Sequence, residues 1–97
     1  MMIRDCIKAA SLAFCVPVAD ILRRDRSHRA SHPRFAAMKI ASDAGFPARR
    51  IGRIMKRDHT TVLHGRRRAV EVARADEDFA LKLKAALFDV GLWRGGS

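Results

Sequence analysis

The chain has 97 residues, 48% of them hydrophobic, enough for one domain with a single core. Twenty Lys and Arg against ten Asp and Glu give a net charge of +10. No apolar run is long enough to span a membrane, and MMIRDCIKAASLAF breaks its apolar run with Arg4, Asp5 and Lys8, unlike a secretory signal.

The apolar pattern is helical throughout, and no run alternates with period two. Ile3, Ile7, Ala10 and Phe14 predict a first helix over about residues 2–14, broken by Pro17. A short helix, ADILRR, follows. Residues 23–34, RRDRSHRASHPR, have no periodicity and are expected to form a basic loop, with Pro33 in the first turn of the next helix. Phe35, Met38, Ile40 and Ala41 supply that helix's buried stripe, and Gly45 is placed to end it. Pro47 can open PARRIGRIM in the same way, with Ile51, Ile54 and Met55 inward. After a tight connection at Lys56 and Arg57, Asp58 caps a helix that runs to about Arg74. A terminal helix over about 77–90 has Phe79, Leu83, Ala86 and Leu87 inward. The expectation is one all-α domain over 1–97.

The charge is not spread evenly. Residues 23–34 carry a net +4 and residues 49–68 a net +7, which leaves the rest of the chain at −1. Two nearly single-sign segments on a neutral scaffold form an electrostatic footprint for a polyanion rather than a surface tuned for solubility.

KRDHTTVLHGRRR, residues 56–68, shows how that polyanion would be read. Two short-linked helices over about 47–74, the second capped by Asp58, make a helix-turn-helix, which places the first turn of its second helix in the DNA major groove. Thr60, His64 and Arg67 follow at i, i+4 and i+7 on one face. Val62, Gly65, Ala69 and Val72 lie opposite, where Gly65 would admit the preceding helix. An ordinary amphipathic surface helix would leave the polar first turn unexplained.

RDHTTVLHG closely resembles the signature of the C-terminal DNA-binding domain of the bacterial replication initiator DnaA, a helix-turn-helix domain of TrpR-like type. VPVADILRRDRSHRASHPRFAAMKIA resembles that domain's short helix, basic loop and following helix, and EDFALKLKAAL its terminal helix. The resemblance implies an all-helical domain that binds a short asymmetric duplex site, the DnaA box. By position, Asp58, His59 and Thr60 match the family's base-reading residues and Arg26 its minor-groove arginine. Thr61 and His64 match residues near the phosphates; Arg24, Arg29, Arg57 and Arg67 are further candidates for backbone contact. The chemistry agrees. Aspartate accepts from the cytosine amino group, threonine offers a methyl to thymine, and arginine suits a narrow A·T-rich minor groove.

Three features depart from the family. The turn before Arg57 is one residue shorter, with Lys56 in place of two small residues, which would rotate the recognition helix. Asp25 replaces a usually basic loop residue. No G-x-x-x-x-G-K-[ST] loop occurs in these 97 residues, so the initiator's ATPase and oligomerisation domains are not expected here.

Other chemistries find little support. Four histidines and two cysteines show neither C-x-x-C nor H-E-x-x-H spacing, so neither a metal nor any other cofactor is expected. His28 and His32 are expected as solvated loop residues near phosphates. Cys6 and Cys15 are expected as small buried hydrophobes without a disulfide, in a cytoplasmic compartment. No catalytic constellation is present, and no enzyme is expected.

Phe88, Leu92 and Trp93 exceed what one helix stripe needs. They are expected to fold over the small core; the alternative is a docking patch for a transcription or replication protein. The functional expectation is a sequence-specific double-stranded DNA-binding protein of the bacterial nucleoid that regulates transcription. The alternatives are a modulator of replication initiation competing for DnaA boxes, or an adaptor with accessory DNA binding.

Overall fold

The structure, a computed structural model, describes residues 1–23 and 28–93, and of residues 28–30 the backbone alone. Six helices follow in order: α1 (Ile3–Phe14), α2 (Val18–Leu22), α3 (His28–Asp43), α4 (Ala48–Met55), α5 (His59–Ala75) and α6 (Glu77–Asp89). There is no strand among the described residues, as the helical periodicity predicts. None of these helices is long and apolar enough to cross a membrane.

Local chemistry sets most of the helix ends. The Met2 amide donates to the Asp5 carboxylate at 2.7 Å, which satisfies an N-terminal donor of α1. Cys15, in the left-handed region at φ 55°, closes the same helix, and Ser11 Oγ donates to the Val16 carbonyl at 2.6 Å. Gly45, at φ 97°, ends α3, where the Phe46 amide donates to the Ala41 carbonyl at 3.2 Å. Asp76 caps α6 by accepting from the Phe79 amide at 3.1 Å.

α3 is the central helix and touches each of the other five. Around it Ile7, Ile21, Met38, Ile40, Ile51, Met55, Val62 and Phe79 are fully buried. Phe79 meets the Phe14 ring at 5.3 Å and the His32 ring edge-on at 5.5 Å.

The expected loop over 23–34 is corrected in its second half. α3 begins at His28, five residues before Pro33, and Pro33 is buried inside it. The proline removes the N–H that would have met the Arg29 carbonyl, an expense that tertiary packing of α3 outweighs. Pro47 likewise is the N-cap of α4 rather than its first helical residue. His32 is accordingly not a solvated loop residue but a half-buried ring, edge-on to Phe79 and tilted against Phe35. Cys6 is buried as expected, whereas Cys15 is exposed on its left-handed cap; both are free thiols.

Arg34 is the one buried charged residue among those described, only 7% exposed. Its Nε donates to the Ile21 carbonyl at 2.8 Å, and its Nη2 donates to the Arg23 carbonyl at 2.8 Å and the Asp20 carbonyl at 3.3 Å. These acceptors lie at the C-terminal end of α2, where orphan carbonyls carry partial negative charge. A guanidinium fork meets several of them at once and so joins α2 to α3. The spacing held the signal for this. Arg34 stands three, four and seven residues before Ala37, Met38 and Ala41, on the buried face.

The C-terminal apolar residues divide. Leu92 and Trp93 are half-buried against the core, and their backbone N–H groups donate to the Leu87 carbonyl at 2.8 and 3.2 Å. Lys84 Nζ lies 4.9 Å from the Trp93 ring centre. Phe88 is 71% exposed and does not fold over the core.

Candidate nucleic-acid interface

α4 and α5 form a helix pair joined by Lys56, Arg57 and Asp58 alone. α4 buries Ile51, Gly52 and Met55, with Ile54 at the edge. Lys56 takes the left-handed conformation at φ 57°, ψ 46°, a place where glycine is usual, and the Arg57 amide then donates to the Gly52 carbonyl at 2.8 Å. Lys56 thus supplies the reversal by itself.

Asp58 starts α5 from an extended conformation, and its Oδ1 accepts from the Thr60 amide at 3.4 Å. His59 Nδ1 stands 3.0 Å from the same oxygen. The Thr60 N–H, above all, and His59 beside it hold the Asp58 carboxyl below the usual carboxylate range. The group is therefore ionised and acceptor-only at neutral pH, with its side chain largely exposed.

The inward face of α5 is Val62, Gly65, Ala69 and Val72, all buried as the spacing predicts. The partner that Gly65 admits is different from the expected one. A Cβ there would collide with the Met38 sulfur and touch Phe35, both on α3, not the preceding helix α4. The outward face carries Thr60, Thr61, His64 and Arg67, all exposed. His64 leans edge-on to Phe35 at 6.5 Å between ring centres.

The arginines after His64 are not equivalent. Arg66 donates to Ser42 Oγ at 3.0 Å. Arg68 pairs with Glu71 at 3.1 Å and lies 6.0 Å from the Phe35 ring centre. Arg67 has no such partner among the described residues and is exposed, so it keeps its charge available. Arg57 is turned inward instead. Its Nη1 donates to the Met55 carbonyl at 2.8 Å and its Nη2 to the Arg23 carbonyl at 2.6 Å.

The structure therefore gathers Asp58, His59, Thr60, Thr61, His64 and Arg67 along the start and outer face of one helix. Arg24 and Arg26 lie outside the described residues; for Arg29 only the backbone is described, within α3. The Arg23 carbonyl, bound by Arg57, puts the beginning of the first basic segment beside the turn. No group of three metal-ligating side chains occurs among the described residues. Read from sequence, Arg57 is a candidate for phosphate contact and Arg34 has no assigned role; in the structure both side chains bind carbonyls of the protein.

The family model described as the bacterial DnaA protein helix-turn-helix matches residues 3–69. The match spans α1 to α4 and α5 as far as Ala69; α6, with its likeness to the family's terminal helix, lies beyond it. No curated protein matches the chain.

Proposed function

The chain belongs to the bacterial DnaA helix-turn-helix family, a family that binds double-stranded DNA and is not a class of enzymes, and from that premise we propose that it recognises a short DnaA-box-like site and regulates transcription there. The observation that carries the reading is the start of α5. Its amide end, with Asp58 and Thr60, faces outward rather than into the core. In this reading Asp58, His59 and Thr60 meet base edges in the major groove, and Arg26 enters the adjacent minor groove. Thr61, His64, Arg67, Arg24 and Arg29 hold phosphates, and Arg57 takes a different role. The domain extends over 1–97 and works in the cytoplasm, on the nucleoid. Occupying boxes in competition with a replication initiator would use the same contacts.

Selection from a random duplex library tests the proposal. One short asymmetric site is expected to emerge, bound on the order of a thousandfold tighter than a scrambled duplex at equal salt. Equal binding of selected and scrambled DNA would overturn it. Arg67→Ala is expected to weaken binding to every sequence alike and to reduce the log–log salt slope by about 0.9. A change in the selected site would instead place Arg67 on a base. The adaptor reading draws on the exposure of Phe88. Phe88→Ser lowering binding to selected DNA would count against it, since an adaptor's docking surface is separate from its DNA contacts.

A further inference from the structure

Two guanidinium groups converge on one backbone oxygen. The carbonyl of Arg23 accepts from Arg34 Nη2 at 2.8 Å and from Arg57 Nη2 at 2.6 Å. A carbonyl oxygen has two lone pairs, and both bonds are charge-assisted and short. Each arginine also holds the end of a helix. Arg34 binds the Ile21 carbonyl of α2, and Arg57 binds the Met55 carbonyl of α4. Arg57 is itself fixed at its backbone, where its amide donates to Gly52 at 2.8 Å. Its next residue is Asp58, the cap of α5.

From this arrangement we propose that Arg57 is a positioning residue, which fixes the root of the first basic segment in register with the start of the recognition helix. The proposal rests on the function put forward above. Arg57 and Arg23 are 34 residues apart in sequence, so this bond ties together two elements that the chain itself leaves distant. Each element reads a different groove in that function, and the two must land on the same duplex at once. Fixing Arg23 against the turn before α5 sets the two elements in register before DNA arrives, the usual gain of preorganisation. The bonds to the Met55 and Arg23 carbonyls occupy two of the five guanidinium N–H donors, so a direct phosphate contact is the competing role, and the experiment must separate the two.

A double-mutant cycle on the full chain separates the two roles. Arg57→Met is expected to lower affinity for the selected duplex about tenfold and to flatten base preference at the minor-groove end of the site. Preference at the end read by α5 should stay. In an Arg26→Ala background the same Arg57→Met change should cost less than about twofold, because the residue that Arg57 positions is gone. An equal cost in both backgrounds, with a salt slope smaller by about 0.9, would mean a phosphate contact and overturn the proposal. Arg57→Lys keeps the charge but cannot span two carbonyls with a fork, and is expected to behave like Arg57→Met. Rescue by Lys would also overturn it, and this variant carries the test should Arg57→Met unfold, as circular dichroism would report. A wild-type protein without any base preference would sink the functional reading itself, whereas preference that survives Arg57→Met at both ends sinks this proposal alone.

Discussion

Gly52→Ala is expected to destabilise the domain by about 3 kcal/mol, at the upper end for one added methyl in a packed site, and to abolish site-specific DNA binding with it. The new Cβ would overlap the carbonyl oxygen of Arg57 and sit 3.4 and 3.5 Å from the carbonyl carbons of Arg57 and Asp58. All three are backbone atoms of the turn. They cannot rotate away as a side chain can, so the turn must shift. That shift stretches the bond from the Arg57 amide to the Gly52 carbonyl and displaces Asp58. Gly65→Ala is the control, because its obstruction is of another kind. There the Cβ would meet the sulfur of Met38, a buried but flexible thioether that must turn aside within the core, with Phe35 Cδ1 at 3.5 Å. Replacing a mid-helix glycine also gains up to about 1 kcal/mol in helix propensity. Gly65→Ala should therefore stay within about 1 kcal/mol of wild type. Urea unfolding with unchanged m-values measures both. Similar losses for the two substitutions would show that the turn is more pliable than its close packing implies.

How far the sequence disclosed this depends on whether the controlling interaction is local. The start of α5 was legible because an N-cap is a property of a few adjacent residues, and Asp58 announces it. The buried face at Val62, Gly65, Ala69 and Val72 was legible because helical spacing decides it. The start of α3 was not. RASHPR has no apolar rhythm, and Pro33 looked like a first-turn residue. Burial against neighbouring helices holds those residues helical, a tertiary effect that local preference opposes. The partner of Gly65 was hidden for the same reason: sequence tells which face a residue is on, not which helix lies across from it. Spacing puts Arg34 on the buried face of α3, but the acceptors of Arg34 and Arg57 are backbone carbonyls, which every residue type carries, so sequence does not point to them. A basic residue in a basic segment suggests phosphate until the oxygens of the protein's own helix ends are located.

Asp58 offers the sharpest separation between holding the fold and reading DNA. Asp58→Asn retains an oxygen able to accept from the Thr60 amide, so the helix start should survive. Part of the acceptor-only surface becomes a donor, however, and discrimination at the base pair it faces is expected to fall about tenfold to a hundredfold. Asp58→Ala loses the cap as well, and should lower both thermal stability and affinity for all duplexes. Thr60→Ala is the complementary case. Alanine is the better helix former, so stability should not fall, but loss of the methyl and hydroxyl is expected to cost about 1–3 kcal/mol on the selected site alone. The pH dependence follows from the depressed carboxyl. A group with a lowered folded-state pKa contributes fully above its unfolded value, and the contribution goes only as pH falls through the folded value. The cap's contribution to thermal stability should accordingly persist from neutrality down to about pH 5, just above the ordinary carboxylate range. Library selection repeated with each variant decides the matter: recovery of the wild-type site by Asp58→Asn would leave the cap as the aspartate's whole purpose.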